Sequence, residues 1–148
     1  MTTATSHSLR VSQTIRADAE RLFRAWTDPS ELKHWWRMEG DGWAFSEASI
    51  DLRVGGRYRL GMTTPEGKAY VAVGEYREIQ RPTRLVFTWE WEDQEMRVGE
   101  TLVTLEFNEK AGRTEVVLTH ERFADPARVA RHEQGWSQML RLLDRAVG

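Results

Sequence analysis

The chain predicts an α+β fold: an antiparallel sheet of about seven strands curved around a long C-terminal helix, with two short helices after the first strand. Three observations carry this. Asp125 to Val147 is one long amphipathic stretch, six strand-like segments joined by short turns precede it, and no repeat or linker interrupts them. Consecutive strands joined by short turns pair antiparallel, with one face wet and one covered. The helix supplies the cover.

Leu9, Val11, Gln13 and Ile15 share one parity, so residues 8–16 read as a half-buried strand. Asp18 then caps a helix over 19–27 whose apolar face is Leu22, Phe23 and Trp26. Asp28-Pro29-Ser30-Glu31 opens a second short helix as a capping box, running into Trp35-Trp36, and Gly40-Asp41-Gly42 ends the segment.

Strands and turns follow. Residues 44–52 set Ala48, Ile50 and Leu52 on one side, and Gly55-Gly56 signals a tight hairpin. Residues 57–63 alternate Tyr58, Leu60 and Met62 against Arg57 and Arg59, then Thr64-Pro65-Glu66-Gly67 fits a type I turn. The phase of 69–79 is ambiguous, with Val71, Val73 and Ile79 opposing Tyr70 and Tyr76 and Gly74 suggesting a bulge. After a turn at Arg81-Pro82, residues 84–91 put Leu85, Phe87, Trp89 and Trp91 on one face. A charged loop over 92–99 leads to a strand facing inward with Val103, Leu105 and Phe107. A turn over 108–112 leads to another, 114–120, with Val116, Leu118 and His120.

In the last segment Asp125 is the N-cap and Pro126 the first helical residue. At 100° per residue Val129, His132, Trp136, Met139, Leu140, Leu143 and Val147 fall on one arc, opposite Arg131, Gln134, Gln138, Arg141 and Arg145. At about 1.5 Å per residue the helix spans roughly 33 Å, enough to cross a small domain.

Composition excludes several classes. A length of 148 residues suits one domain over 1–148, with 1–7 expected to be a flexible tail. Net charge is −2 with both signs interspersed, so no nucleic-acid or membrane partner is expected. The absence of cysteine excludes disulfides and thiolate chemistry. No signal-peptide pattern or apolar run of membrane-spanning length occurs, so a soluble cytoplasmic protein is expected. Seven tryptophans suit a heavy core or an aromatic-lined cavity.

Four segments together carry a resemblance: Leu22-Phe-Arg-Ala-Trp-Thr-Asp-Pro29 with Trp35-Trp36, Asp51-Leu-Arg-Val-Gly-Gly-Arg57, Gly74-Glu-Tyr-Arg-Glu-Ile79 with Arg84-Leu-Val-Phe-Thr-Trp89, and Gly135-Trp136 with Leu140. They resemble the SRPBCC (START-like) superfamily, in the group named after the C-terminal domain of the activator of heat-shock-protein-90 ATPase. The resemblance implies the helix-grip fold, with a hydrophobic cavity between sheet and helix. Relatives bind lipids, sterols, polyketides or plant hormones, and a few are cyclases or hydrolases. Homodimers are compatible with the family. The eukaryotic chaperone activators carry a separate N-terminal domain without a counterpart in these 148 residues, which sets a chaperone partner below a small ligand.

The leading expectation is a small hydrophobic or aromatic ligand in that cavity, lined by Trp36, Tyr58, Leu60, Met62, Val73, Phe87, Trp89, Trp91, His120, His132, Trp136, Met139 and Leu143. Two alternatives stand beside it: a chaperone-interacting or regulatory module exposing an apolar patch near Trp35-Trp36, and a cyclase- or hydrolase-like enzyme using His120 or His132. The two histidines are expected to be neighbours at the cavity mouth. Their spacing matches no metal motif, and no metal, cofactor or catalytic residue is assigned. Glu75, Glu78 and Glu90 read as outer-face residues, and Trp35, Trp36 and Trp43 as either an entrance or edge packing.

Overall fold

The computed structural model describes residues 7–148. The tail expected over 1–7 lies outside the described residues except at His7, which already belongs to the first strand, β1 (His7–Ile15). Two short helices follow, α1 (Ala19–Thr27) and α2 (Pro29–Leu32). Then come β2 (Ala44–Ile50), β3 (Arg57–Thr63), β4 (Ala69–Gln80), β5 (Arg84–Trp91), a 3-10 turn at Gln94–Met96, β6 (Thr101–Lys110) and β7 (Arg113–Phe123). The final element is α3 (Pro126–Val147). The seven strands form an antiparallel sheet in the order β1-β7-β6-β5-β4-β3-β2. From β2 onward, sequence neighbours are sheet neighbours. The two helices carry the chain from β1 at one edge to β2 at the other.

The caps form where the sequence puts them. Asp18 accepts from the amide of Arg21 at 2.7 Å, Asp28 from Ser30 at 2.9 Å and Asp125 from Ala127 at 2.9 Å. The reciprocal half of the capping box at α2 is not made. The Asp28 amide already donates to the Arg24 carbonyl at the end of α1, so Glu31 pairs with Arg21 instead.

β2 stops at Ile50, two residues before the expected end, and Leu52 is 37% exposed. Residues 51–56 curl back on themselves through bonds from Arg53 N to Asp51 O and Gly56 N to Arg53 O, so Gly55-Gly56 is part of a longer connection, not a two-residue hairpin. The ambiguous phase of β4 resolves with Tyr70, Ala72 and Tyr76 toward the core and Val73 outward beside Arg59 and Glu90. A register shift between Tyr76 and Glu78 then returns Ile79 to the core side. Gly74 serves a close approach: a Cβ there would lie 1.9 Å from the Thr88 carbonyl oxygen and 2.7 Å from the Tyr58 ring. β7 runs three residues past its expected end. Arg122 at φ 74° marks a second irregularity, opposite His7 to Leu9, that turns Phe123 inward beside His120.

The arc named on α3 faces the sheet, with Leu142 broadening the buried side. The helix packs on β1, β7 and α1, and Gln13 donates to Asp144 at 2.9 Å. Opposite β3, β4 and the end of β5, its N-terminal half leaves a gap.

Candidate apolar cavity

The gap is a mostly apolar cavity of about 250 Å³. Its walls are Met62 on β3, Tyr70 on β4, Trp89 and Trp91 on β5, and His132, Gly135, Trp136 and Met139 on α3. Met38 and Trp43, from the segment before β2, and Met96, from the 3-10 turn, close it. Arg128 and Arg131 stand on the first turns of α3. Strand alternation places the β5 pair two residues apart on the inner face, and the 3.6-residue period stacks His132, Trp136 and Met139 opposite them.

Two histidine–tryptophan pairs stitch helix to sheet in opposite senses. Trp91 Nε1 donates to His132 Nε2 at 2.9 Å, and Trp136 Nε1 donates to His120 Nδ1 at 3.0 Å. An indole N–H is a donor only, so each acceptor nitrogen carries no proton, which settles both tautomers. His132 therefore donates from Nδ1 to the Arg128 carbonyl at 2.8 Å. His120 donates from Nε2 to Thr101 Oγ1 at 2.7 Å, while that hydroxyl gives its own proton to the Trp89 carbonyl at 2.8 Å.

Both rings are neutral and fully engaged. Burial holds His120 well below the usual histidine range, with the nearby His132 acting in the same direction. Burial also lowers His132, partly opposed by its bond to the Arg128 carbonyl; the charges of Arg128 and Arg131 add to the lowering and Glu90 opposes it. The rings are neighbours, 5.4 Å apart and edge-on, as expected. Their depth differs: His132 lines the cavity, and His120 lies wholly buried beneath it.

Six of the thirteen expected lining residues come together on the cavity: Met62, Trp89, Trp91, His132, Trp136 and Met139. The other seven lie elsewhere. Trp36 is fully buried among Trp26, Trp35, Trp89 and Trp136. Tyr58 packs on Tyr76 and Phe87, with its hydroxyl donating to the Thr88 carbonyl at 2.6 Å. Burial raises the Tyr58 phenol well above its usual range. Leu60, Phe87 and Leu143 are core, and Val73 is on the outer face, where the pleat of β4 puts it. Inward parity is thus not sufficient for lining a cavity, because most of the inner face is in direct contact.

Trp35 and Trp36 are both 0% exposed, with Trp35 Nε1 donating to the Ala25 carbonyl, so they pack the interior and form no surface patch. Trp43 does reach the cavity. Glu90 accepts from the amides of Trp91 and Val98 and so ties down the loop after β5, whereas Glu75 and Glu78 pair with Arg77 and Arg84. Met38, Tyr70, Met96, Arg128, Arg131 and Gly135 were not foreseen. Only Tyr70 had a sequence signal, its parity opposite Val71. Among the described residues the indole N–H groups of Trp26, Trp36 and Trp89 have no partner, and of these Trp89 is on the cavity wall.

A curved antiparallel sheet closed by a long C-terminal helix, with an apolar cavity between them, defines a helix-grip protein. Residues 16–148 match the model of the family described as Activator of Hsp90 ATPase homolog 1-like protein, and the chain belongs to that family. Solved structures agree in fold. A Rhodobacter sphaeroides protein is 28% identical, with a TM-score of 0.79 over 97% of this chain and 92% of that one. An AHSA1 protein from Silicibacter pomeroyi is 28% identical, with a TM-score of 0.78 over 94% of this chain and 96% of that one. A Chromobacterium violaceum protein at 24% identity superimposes with a TM-score of 0.81 over 95% and 96%. A search of curated proteins gives no match. Among the described residues no helix is long and apolar enough to cross a membrane.

Proposed function

We propose that the protein binds a small apolar, ring-containing molecule in the cavity under the N-terminal half of α3. The observation that carries this is the lining itself: four tryptophans and four methionines around about 250 Å³. Rigid indoles offer flat faces, and flexible thioethers adapt to irregular shapes. A cavity of about 150 Å³ holds benzene, so this one takes on the order of ten non-hydrogen atoms, about two fused rings. At about 0.5–0.8 kcal/mol per atom, such a ligand binds with Kd between about 0.2 mM and 1 µM.

The histidines support binding over acid–base chemistry. Each has both nitrogens committed, so offering one to a substrate would first break a bond to a buried indole.

A panel of naphthalene-sized dyes and apolar compounds, followed by tryptophan emission and thermal unfolding, tests the reading. At one hundred times Kd a ligand stabilises by about 2.7 kcal/mol, which a melting curve resolves. Gly135→Leu, which grows a side chain from the cavity wall beside Met38, should abolish the shift. If no compound of this size perturbs emission or melting, the proposal fails.

A further inference from the structure

We infer that the ligand is an anion, a small aromatic carboxylic acid whose ring occupies the cavity and whose carboxylate sits at Arg128 and Arg131. This inference rests on the cavity being a binding site and narrows what it takes. The charged side chains of the lining are these two arginines, and no carboxylate is among the lining residues.

Their surroundings leave the positive charge uncompensated. Among the described residues neither arginine forms an ion pair, in contrast to Arg141 and Arg145, further along the same helix, which share Glu39. Arg128 donates from Nη1 only to a backbone carbonyl, that of Glu95, at 3.2 Å. Glu90 is the acid close enough to act on His132, and its Oε1 is taken by the amides of Trp91 and Val98. Glu133 is exposed on α3 and lines the separate shallow surface depression formed by Ala130, Gln134, Ser137 and Gln138.

The histidine of the wall leaves an anion unopposed. His132 is neutral, with both nitrogens used, so it neither repels nor neutralises an anion. Two arginines among the lining of an apolar cavity select a molecule with a flat apolar body and a carboxylate at one end, since the planar guanidinium fork matches a carboxylate in two-bond geometry.

Matched probes decide it. 2-Naphthoate and its neutral isostere 2-naphthamide share ring and shape and differ in charge. Titrated against tryptophan emission at low salt, the acid should bind at least tenfold tighter than the amide, and the ratio should shrink at high salt. In Arg128→Gln/Arg131→Gln the ratio should fall to about one while amide affinity stays. Should the double variant not fold, the exposed Arg131→Glu, checked by its circular dichroism melt, should lower acid affinity and leave amide affinity unchanged. Equal binding of acid and amide, or a preference that survives in the variants, overturns the inference and leaves the cavity reading standing. Binding of neither probe overturns the inference, and silence across the whole panel of dyes and apolar compounds overturns the cavity reading as well.

Discussion

Lowering the pH from 7.5 to 5.5 should destabilise this protein through His120 and His132, by at most about 1.4 kcal/mol for each. Both are held neutral in the folded state, so their folded pKa values lie below the unfolded value of about 6.5. Between those values the unfolded chain binds protons that the native state refuses, and stability falls as pH falls. The contribution is intact above about pH 6.5 and is lost from there down to the folded pKa. At pH 5.5 the unfolded imidazole is about ten-elevenths protonated, worth RT ln 11, or about 1.4 kcal/mol, for each ring that stays neutral in the fold. His120, wholly buried and pinned between Trp136 and Thr101, comes nearest that ceiling; His132, at the cavity wall, contributes less. Urea unfolding at both pH values, analysed at constant m, measures the difference. The window avoids carboxylates such as Asp28, whose lowered titration lies at more acidic pH. His120→Gln keeps an acceptor and a donor without a titrating ring; it should lose stability at pH 7.5 and show a smaller decline, by up to about 1.4 kcal/mol. A wild-type stability that is flat between the two pH values, or a decline undiminished in His120→Gln, refutes the assignment of neutral, locked rings.

Three further outcomes follow from the packing. Gly74→Ala should leave little folded protein, since its Cβ would overlap the Thr88 carbonyl, whereas Gly135→Ala should stabilise by about 0.5–1 kcal/mol because the new methyl sits 3.8 Å from Met38; solubility and urea midpoints separate them. Trp136→Phe strips His120 of its donor and leaves space against Trp89, at a cost of about 2–4 kcal/mol by the same measurement. Val73→Thr, on the outer face, should change stability by no more than about 0.5 kcal/mol and leave dye binding untouched, while Met139→Ala should alter both.

The fold was legible in the chain because its elements announce themselves locally. Asp18, Asp28 and Asp125 cap three helices, and alternation along 84–91 names the inner face of β5 before any partner is known. Errors gathered where the local signal was weak. β4 carries large apolar residues on both faces, so Val73 was placed inside. β2 ended early because backbone bonds within 51–56, not side-chain character, turn the chain.

The cavity was less legible. Outside β4, sequence alone determined which residues of the regular elements face inward, and with them the Trp89, Trp91, Trp136 and Met139 wall, because periods of 2.0 and 3.6 residues depend only on the backbone. Tertiary structure decided which of those inward residues touch one another and which border a void. That depends on where α3 lies against the sheet, close on β1 and β7 and lifted from β3 and β4. The pairing of His120 with Trp136 and of His132 with Trp91 belongs to the same level: the partners lie 16 and 41 residues apart, and only the docking of helix on sheet brings donor to acceptor. Arg128 and Arg131 look like ordinary solvated surface in the sequence. They come to line the cavity because it opens beside the first turns of that helix.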